Sequence, residues 1–169
     1  MEVRACLRYL LTNPQPSYLR LAKAGEKVIH TEVPELFPGK WICLREGVNP
    51  LGTYLTTGAT LGFIDELFAN TADLNHWSLH SIPLWGMKVK DMQVRQLEKY
   101  TQVLTVEDHL VDGGFGSWLM EAVCMRSDLL GRIRIKGLNA KVCGMVGQQA
   151  SLHAAGGLTQ NLLPNQWSM

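Results

Sequence analysis

One segment, residues 103–123, limits what the chain can fold into more than any other. It begins with an apolar run of the kind found in strands that are buried on both faces of a sheet. A short acidic loop and the pair Gly113 and Gly114 follow, and glycine permits a tight turn. Apolar residues then recur at helical spacing, namely Phe115, Trp118, Leu119, Ala122 and Val123. The segment therefore predicts a strand, a turn and a helix, which is half of a βαβ unit.

Strand and helix patterns alternate along the rest of the chain. Strands are predicted at 17–21, 41–44, 51–56, 77–82 and 133–138, and helices at 3–11, 58–70 and 91–100, the last capped by Asp91. Strands that alternate with helices of about ten residues predict parallel pairing, right-handed crossovers and helices on both faces of one sheet.

The first forty residues are organised differently from the rest. Residues 22–40 are rich in glycine, proline and charge, which is typical of a linker. One helix and one strand before it are too few to bury a core of their own. We therefore expect residues 1–37 to belong to a domain whose larger part lies elsewhere, or to dock on another surface.

Charge and composition exclude several function classes. The chain has 169 residues and a net charge of +1, which provides no basic field for nucleic acid. Arg132, Arg134 and Lys136 alternate, so they are expected on one face of an edge strand or a solvent-facing strand. No apolar run reaches the ~20 residues that span a bilayer, and the N-terminus does not resemble a cleavable signal. A cytoplasmic protein is expected.

The cysteines and histidines do not form a recognisable motif. No pair of cysteines has CxxC spacing, and all are expected to be small buried hydrophobes rather than disulfides or metal ligands. The cysteines are Cys6, Cys43, Cys124 and Cys143, and the histidines predicted in loops are His30, His76 and His153. Four tryptophans are expected to be core or interface aromatics, namely Trp41, Trp77, Trp85 and Trp118.

Thr105–Ser117 also carries a family resemblance. Its T-V-E-D-H, short spacer and G-G-F-G-S resemble the C-terminal domain of transketolase-type thiamine-diphosphate enzymes, whose pattern is T-V-E-(E/D)-H followed by G-G-x-G-S. Residues 47–66 resemble that domain's first strand, T-G loop and first helix. Residues 16–21 (P-S-Y-L-R-L) resemble the last strand of the preceding pyrimidine-binding domain. The resemblance extends over roughly residues 3–160.

The resemblance implies a fold and a division of the chain. The implied fold is a three-layer α/β/α domain with a mostly parallel sheet of about five strands. Residues 1–37 would be the C-terminal remnant of a pyrimidine-binding domain and a linker, residues 38–160 the transketolase C-terminal domain, and residues 161–169 a tail. The complete enzyme would move a two-carbon ketol unit between sugar phosphates.

The resemblance also implies that the chemistry belongs to another part of the enzyme. In the family, a G-D-G…N motif holds Mg²⁺ and the diphosphate, and a glutamate of the pyrimidine domain protonates the aminopyrimidine of the cofactor; neither motif occurs here. We expect no cofactor, metal or catalytic residue in this chain, which alone would be inactive. Its role would be assembly, and binding of a regulator, in an oligomer with a thiamine-binding N-terminal section or subunit.

Two other interpretations are open. The chain could be a free-standing binding or assembly module without a catalytic part. It could also be a section of a related enzyme, such as the β subunit of a 2-oxo-acid dehydrogenase or a deoxyxylulose-phosphate synthase.

The candidate site residues follow the strand that opens the key segment. Glu107, Asp108 and His109 lie where open α/β sheets place functional groups, at the carboxyl end of a strand. His109 could act as an acid–base group, whereas Glu107 could cap the next helix or form an ion pair across an interface. Gly113 and Gly114 could expose backbone N–H groups to an anion, or only allow close packing. His80, at the end of the preceding strand, is open to the same roles as His109.

The remaining candidates are basic. In the family, the end of the last pyrimidine-domain strand carries cations that help to hold the substrate phosphate. The resemblance therefore implies that Arg20 or Lys23 could bind a sugar phosphate.

Overall fold

The computed structural model describes residues 1–21, 26–159 and 162–166. The strands are β1 (Ile42–Arg45), β2 (Gly52–Thr57), β3 (Trp77–Ser81), β4 (Gln102–Leu110) and β5 (Ile133–Leu138). The helices are α1 (Glu2–Thr12), α2 (Thr60–Asn70), α3 (Asp91–Leu97), α4 (Phe115–Ala122), α5 (Ser127–Leu130) and α6 (Gln149–Ala155). Short 3₁₀ turns lie at Ala72–His76, Met87–Val89, Ala140–Val142 and Pro164–Gln166.

The strands form one sheet of five in the order β1-β3-β2-β4-β5. Strand β3 pairs with β2, β2 with β4, and β4 with β5, and all three pairs are parallel. Strand β1, at one edge, runs antiparallel to its neighbour β3. The inner strands β2 and β4 are buried over most of their length because helices cover both faces of the sheet, which explains their apolar and β-branched sequences. The predicted three-layer α/β/α fold with a mostly parallel sheet is confirmed.

Each face of the sheet has its own apolar core. On one face, Leu55 and Val103 pack against residues of α4 such as Phe115 and Leu119. On the other face, alternate residues of the same strands pack against α2 and the segment after α6. Full burial of such a side chain contributes about 1.5–3 kcal/mol, so these two layers dominate the stability of the domain. Trp41, Trp77 and Trp118 belong to these cores, as predicted.

The chain before β1 packs beside the sheet edge. In α1, Ala5 and Cys6 are buried against Leu36, and this small cluster is separate from the two main cores. His30 Nε2 lies 2.9 Å from Glu2 Oε1 and ties the following stretch to the start of the helix. The N-terminal residues thus dock on the described domain.

Several predicted element bounds were wrong. Residues 17–21 form no strand, because no neighbouring strand pairs with them, and Tyr18 is 88% exposed. The α3 helix ends at Leu97, and Asp91 is its first residue rather than its cap. The predicted loop histidine His153 lies in helix α6 and is buried.

The cysteine prediction was also wrong in part. All four are free thiols, and only Cys6 is buried. Cys43 lies on the edge strand β1, while Cys124 and Cys143 follow short helices, so each of the three reaches solvent. Among the described residues, no helix combines the length and apolar character needed to cross a bilayer.

Candidate functional site

The candidate site lies at the carboxyl end of the central strands, where β4 is longer than its neighbours. The parallel pairing of β2 with β4 ends at Thr57 and Glu107. Beyond it, β4 continues to Leu110, which pairs with Leu138 of β5 after an irregularity in register. Glu107, Asp108 and His109, which were predicted at the carboxyl end of a strand, are part of β4, and the short acidic loop predicted before the glycines begins only after Leu110.

Glu107 holds the start of helix α4. Its carboxylate accepts the backbone N–H of Phe115 at 2.5 Å and that of Gly116 at 2.9 Å. The side chain is buried, with a relative exposure of 1%. Two N–H groups that the helix itself cannot satisfy thus find one acidic partner, which also suits the positive end of the helix dipole.

The glycines make room for this carboxylate. Gly113 has φ +69°, a conformation that other residues rarely adopt, and it turns the chain towards the helix. A Cβ on Gly114 would lie 2.3 Å from Glu107 Oε2, which is far inside van der Waals contact. Because Glu107 occupies the N-terminus of α4, an external anion would have to displace a group of the protein.

The environment of Glu107 changes its acidity. Burial raises the pKa of its carboxyl, and the N–H groups of Gly116 and Phe115 and the charge of His109 lower it by less. The net result is a pKa above the usual value for glutamate. The backbone contacts nevertheless orient both oxygens towards the helix, so the group is a structural acceptor whose charge is costly to bury.

Asp108, the next residue, joins two distant parts of the chain. Arg20 donates to its backbone oxygen at 2.5 Å and to its Oδ2 at 3.4 Å. Its Oδ1 lies 3.1 Å from His153 Nε2, on helix α6. Both carboxylate oxygens thus have a partner, and Asp108 ties residues 17–21 and α6 to the end of β4.

The structure brings together some of the predicted site residues but not all. Arg20 lies beside Asp108, one residue from Glu107, although its own side chain remains 55% exposed. His109 is exposed, and its Nδ1 contacts the backbone oxygen of Leu110 at 2.8 Å. Lys23 lies outside the described residues. The roles in phosphate binding, in anion binding and at an interface stay predictions.

His153 is the member of this cluster that the sequence did not indicate. The glycines on either side of Gln149–Ala155 suggested a loop, although Ala and Leu in that short stretch favour a helix. Its pairing with Asp108 joins residues far apart in sequence, and no local pattern reports such a contact.

Two curated proteins are similar to this chain in sequence. The chain is 31% identical over 118 residues to transketolase-like protein 1 of Bos taurus, which covers 67% of this chain and 19% of that protein. It is 31% identical over 125 residues to 1-deoxy-D-xylulose-5-phosphate synthase of Thermus thermophilus, covering 73% of this chain and 19% of that protein. The chain thus spans about a fifth of the length of these curated relatives.

A solved structure has the same fold. It is described as a split gene transketolase, an inactive β4 tetramer, and superposes with a TM-score of 0.70 at 22% identity. The match covers 92% of this chain and 49% of that chain. No family model matches the sequence.

Proposed function

We propose, from the premise that this chain is a transketolase C-terminal-type section, that it serves assembly in a thiamine-diphosphate enzyme. The complete cytoplasmic enzyme would transfer a two-carbon ketol unit between sugar phosphates. In this proposal the chain docks on a thiamine-binding section and has no reaction centre of its own. The domain bounds stated from the sequence, at residues 37 and 160, are part of the proposal.

One observation supports this proposal above the others. The two curated relatives align with 67% and 73% of this chain, but the aligned part is only 19% of each of them. Most of such an enzyme therefore lies in segments that have no counterpart in these residues. A cofactor that performs the carbanion chemistry needs those segments to bind and orient it.

The described end of the sheet does not fit thiamine diphosphate. A diphosphate prefers free backbone N–H groups at a helix N-terminus. At α4 the N–H groups of Phe115 and Gly116 already donate to Glu107, and this carboxylate would repel a second anion. In the proposal, the cofactor is therefore held by the thiamine-binding section and not at this end of the sheet.

A surface for the partner section is available on the N-terminal helix. Apolar side chains spaced four residues apart form one face of α1, and two more follow in the next stretch. They are Val3, Leu7, Leu11, Tyr18 and Leu21, with exposures of 42%, 44%, 81%, 88% and 57%. A run of exposed apolar residues of this kind marks a contact surface. In the proposal, it packs against the thiamine-binding section.

Reconstitution tests the proposal. The chain, a separately produced thiamine-binding transketolase section, and their mixture are each assayed for ketol transfer with thiamine diphosphate and Mg²⁺. We expect activity only in the mixture. The double variant Leu7→Asp, Leu11→Asp should lose it, because charges on the α1 face oppose docking. The control Met125→Asp alters a residue that is 92% exposed in the turn between α4 and α5 and should leave activity unchanged.

Two outcomes would overturn the proposal. Ketol transfer by the chain alone would show that it holds a reaction centre. Formation of 1-deoxy-D-xylulose 5-phosphate by the mixture, without ketol transfer, would assign the chain to the second type of relative.

A further inference from the structure

We propose that Cys43, Glu46 and His80 form a binding site for a divalent cation of the zinc type at the β1 edge of the sheet. One potential ligand atom from each of these residues lies within 4.8 Å of the other two. This site shares no residue with the Glu107 cap of α4, and the proposal does not depend on the proposed function.

Strand pairing explains why these residues meet. Cys43 and His80 are directly opposed partners in the antiparallel pair of β1 and β3, where Cβ atoms are typically about 5 Å apart. The register shifts between Cys43 and Arg45, so the chain bends after the cysteine. Glu46 follows this bend and returns to the thiol, with Cys43 Sγ lying 3.2 Å from Glu46 Oε2.

The hydrogen bonds of His80 select the tautomer that a metal requires. Thr53 Oγ1 has a single proton, and its distance to Ser78 O is 3.1 Å and to Tyr54 O is also 3.1 Å. Since it donates to one of these carbonyls, the hydroxyl accepts from His80 Nδ1 at 2.8 Å. The lone pair of the imidazole is then on Nε2. A histidine ligand of a metal commonly has such a partner on its other nitrogen.

The neighbours of His80 leave that lone pair available. Nε2 has Tyr100 Oη at 3.3 Å, a long contact that a metal ion can replace. The rings of Trp41 and Tyr100 pack edge-on against the imidazole at 5.8 and 5.5 Å and hold it in place.

The three donors match zinc in type and spacing. Thiolate, imidazole and carboxylate are its usual ligands, and tetrahedral bonds place such atoms roughly 3.3–3.6 Å apart. Cys43 Sγ and Glu46 Oε2, 3.2 Å apart, are close to this spacing, and the remaining atom pairs, at most 4.8 Å apart, need to close by about 1 Å. Three protein ligands leave a fourth position for water. Cys43 and Glu46 are exposed, so the ion can reach the site from solvent.

Binding would displace a proton. Without metal, the Cys43 thiol donates its proton to Glu46, with 3.2 Å between Sγ and Oε2. Zinc would replace this proton between sulfur and carboxylate, with the proton released to solvent.

Calorimetric titration with Zn²⁺ and absorption spectroscopy with Co²⁺ test the site on the whole chain. We expect one equivalent of Zn²⁺ per chain and a sulfur-to-cobalt charge-transfer band. Cys43→Ser should remove the band and weaken Zn²⁺ binding on the order of tenfold or more, and Glu46→Gln should weaken it in the same way. The control variant Cys124→Ser, Cys143→Ser removes two other exposed thiols and should bind like the wild type.

Thermal unfolding measures whether the Cys43→Ser variant is folded as stably as the wild type. The metal-free Cys43→Ser variant should unfold at the wild-type temperature, because the thiol is at the surface, and Zn²⁺ should stabilise this variant less than the wild type. Failure of the wild type to bind Zn²⁺ would overturn the site. Equal binding by Cys43→Ser would do so too, as would loss of binding in the Cys124→Ser, Cys143→Ser control.

Discussion

Glu107 shows how one side chain determines local geometry at the end of the sheet. Its buried carboxylate accepts two backbone N–H groups and so sets where helix α4 begins relative to strand β4. The neighbouring Gly114 lacks a Cβ because that space belongs to Glu107. The motif that identifies the family is thus accounted for by packing and capping.

Glu107→Gln should lower the free energy of unfolding by about 1–3 kcal/mol, because one acceptor oxygen is replaced by an amide that faces the N–H groups. Urea denaturation at neutral pH measures the change. Asp112→Asn, in the exposed loop nearby, serves as the control and should unfold like the wild type. A Glu107→Gln variant as stable as the wild type would contradict the capping role.

Asp65 gives a prediction about acid stability. Burial would raise its pKa, but the hydrogen bonds and charges of Lys27 and Arg45, at 2.7 Å each, lower it below 3.8 overall. A carboxyl whose pKa is lower in the folded than in the unfolded state stabilises the fold at pH values above its unfolded-state pKa. This stabilisation is lost as the pH falls through the folded-state pKa.

We expect Asp65→Asn to be less stable than the wild type by about 1–2 kcal/mol at pH 7, since its cationic partners are half exposed. The gap should narrow as the pH falls below about 3.8. Denaturation midpoints over this pH range measure it. A gap that is constant with pH would show that the charge of Asp65 contributes nothing.

At the scale of elements, periodicity predicted most of the sheet. The predicted strand at 133–138 agrees with β5, and the helix predicted from residue 115 agrees with α4. Glu107, Asp108 and His109 were predicted at the carboxyl end of this strand, but the further pairing of Leu110 with β5 was not predictable from an apolar run that ends at Val106. Their extended conformation depends on the partner strand β5 and on the α4 amides, which are tertiary contacts.

Two helical glycines provide a matched test of element packing. A Cβ on Gly116 of α4 would lie 2.6 Å from Ile135 Cγ2 and 2.7 Å from Thr105 Oγ1. A Cβ on Gly62 of α2 would meet only Lys27 Cβ, at 3.9 Å. The first helix therefore approaches the sheet more closely than an alanine allows, whereas the second does not.

Gly116→Ala should destabilise the protein by about 1–3 kcal/mol through overpacking. Gly62→Ala should stabilise it by up to about 1 kcal/mol, since alanine is the better helix former. Chemical denaturation of both variants gives the comparison. Equal effects of the two substitutions would mean that α4 can move away from β4 and β5 at no cost.

At the scale of the whole molecule, the alternating pattern and the family resemblance together predicted the layers. They could not predict contacts that depend on which strands pair. Cys43 and His80 lie on strands that are separate in sequence, and only the antiparallel edge pairing opposes them. The prediction that the cysteines are not metal ligands rested on local spacing, which carries no information on such a pair.

Docking of the N-terminal stretch was one of two alternatives expected from the sequence, but the contacts through which it docks were not predictable from the pattern. A strand was expected at 17–21, where the sequence resembles the last strand of a pyrimidine-binding domain, yet Arg20 instead bonds to Asp108. The apolar face of α1 remains exposed beside it, at Leu7 and Leu11. An exposed face of this kind is what a section of a larger enzyme is expected to show.

The central claim is that the chain is an assembly section that requires a thiamine-binding partner. Native mass spectrometry of the chain mixed with that section measures this most directly. We predict a hetero-oligomer containing both chains, which the double variant Leu7→Asp, Leu11→Asp no longer forms. If the two chains are found only as separate species at concentrations where each is folded, the claim is contradicted.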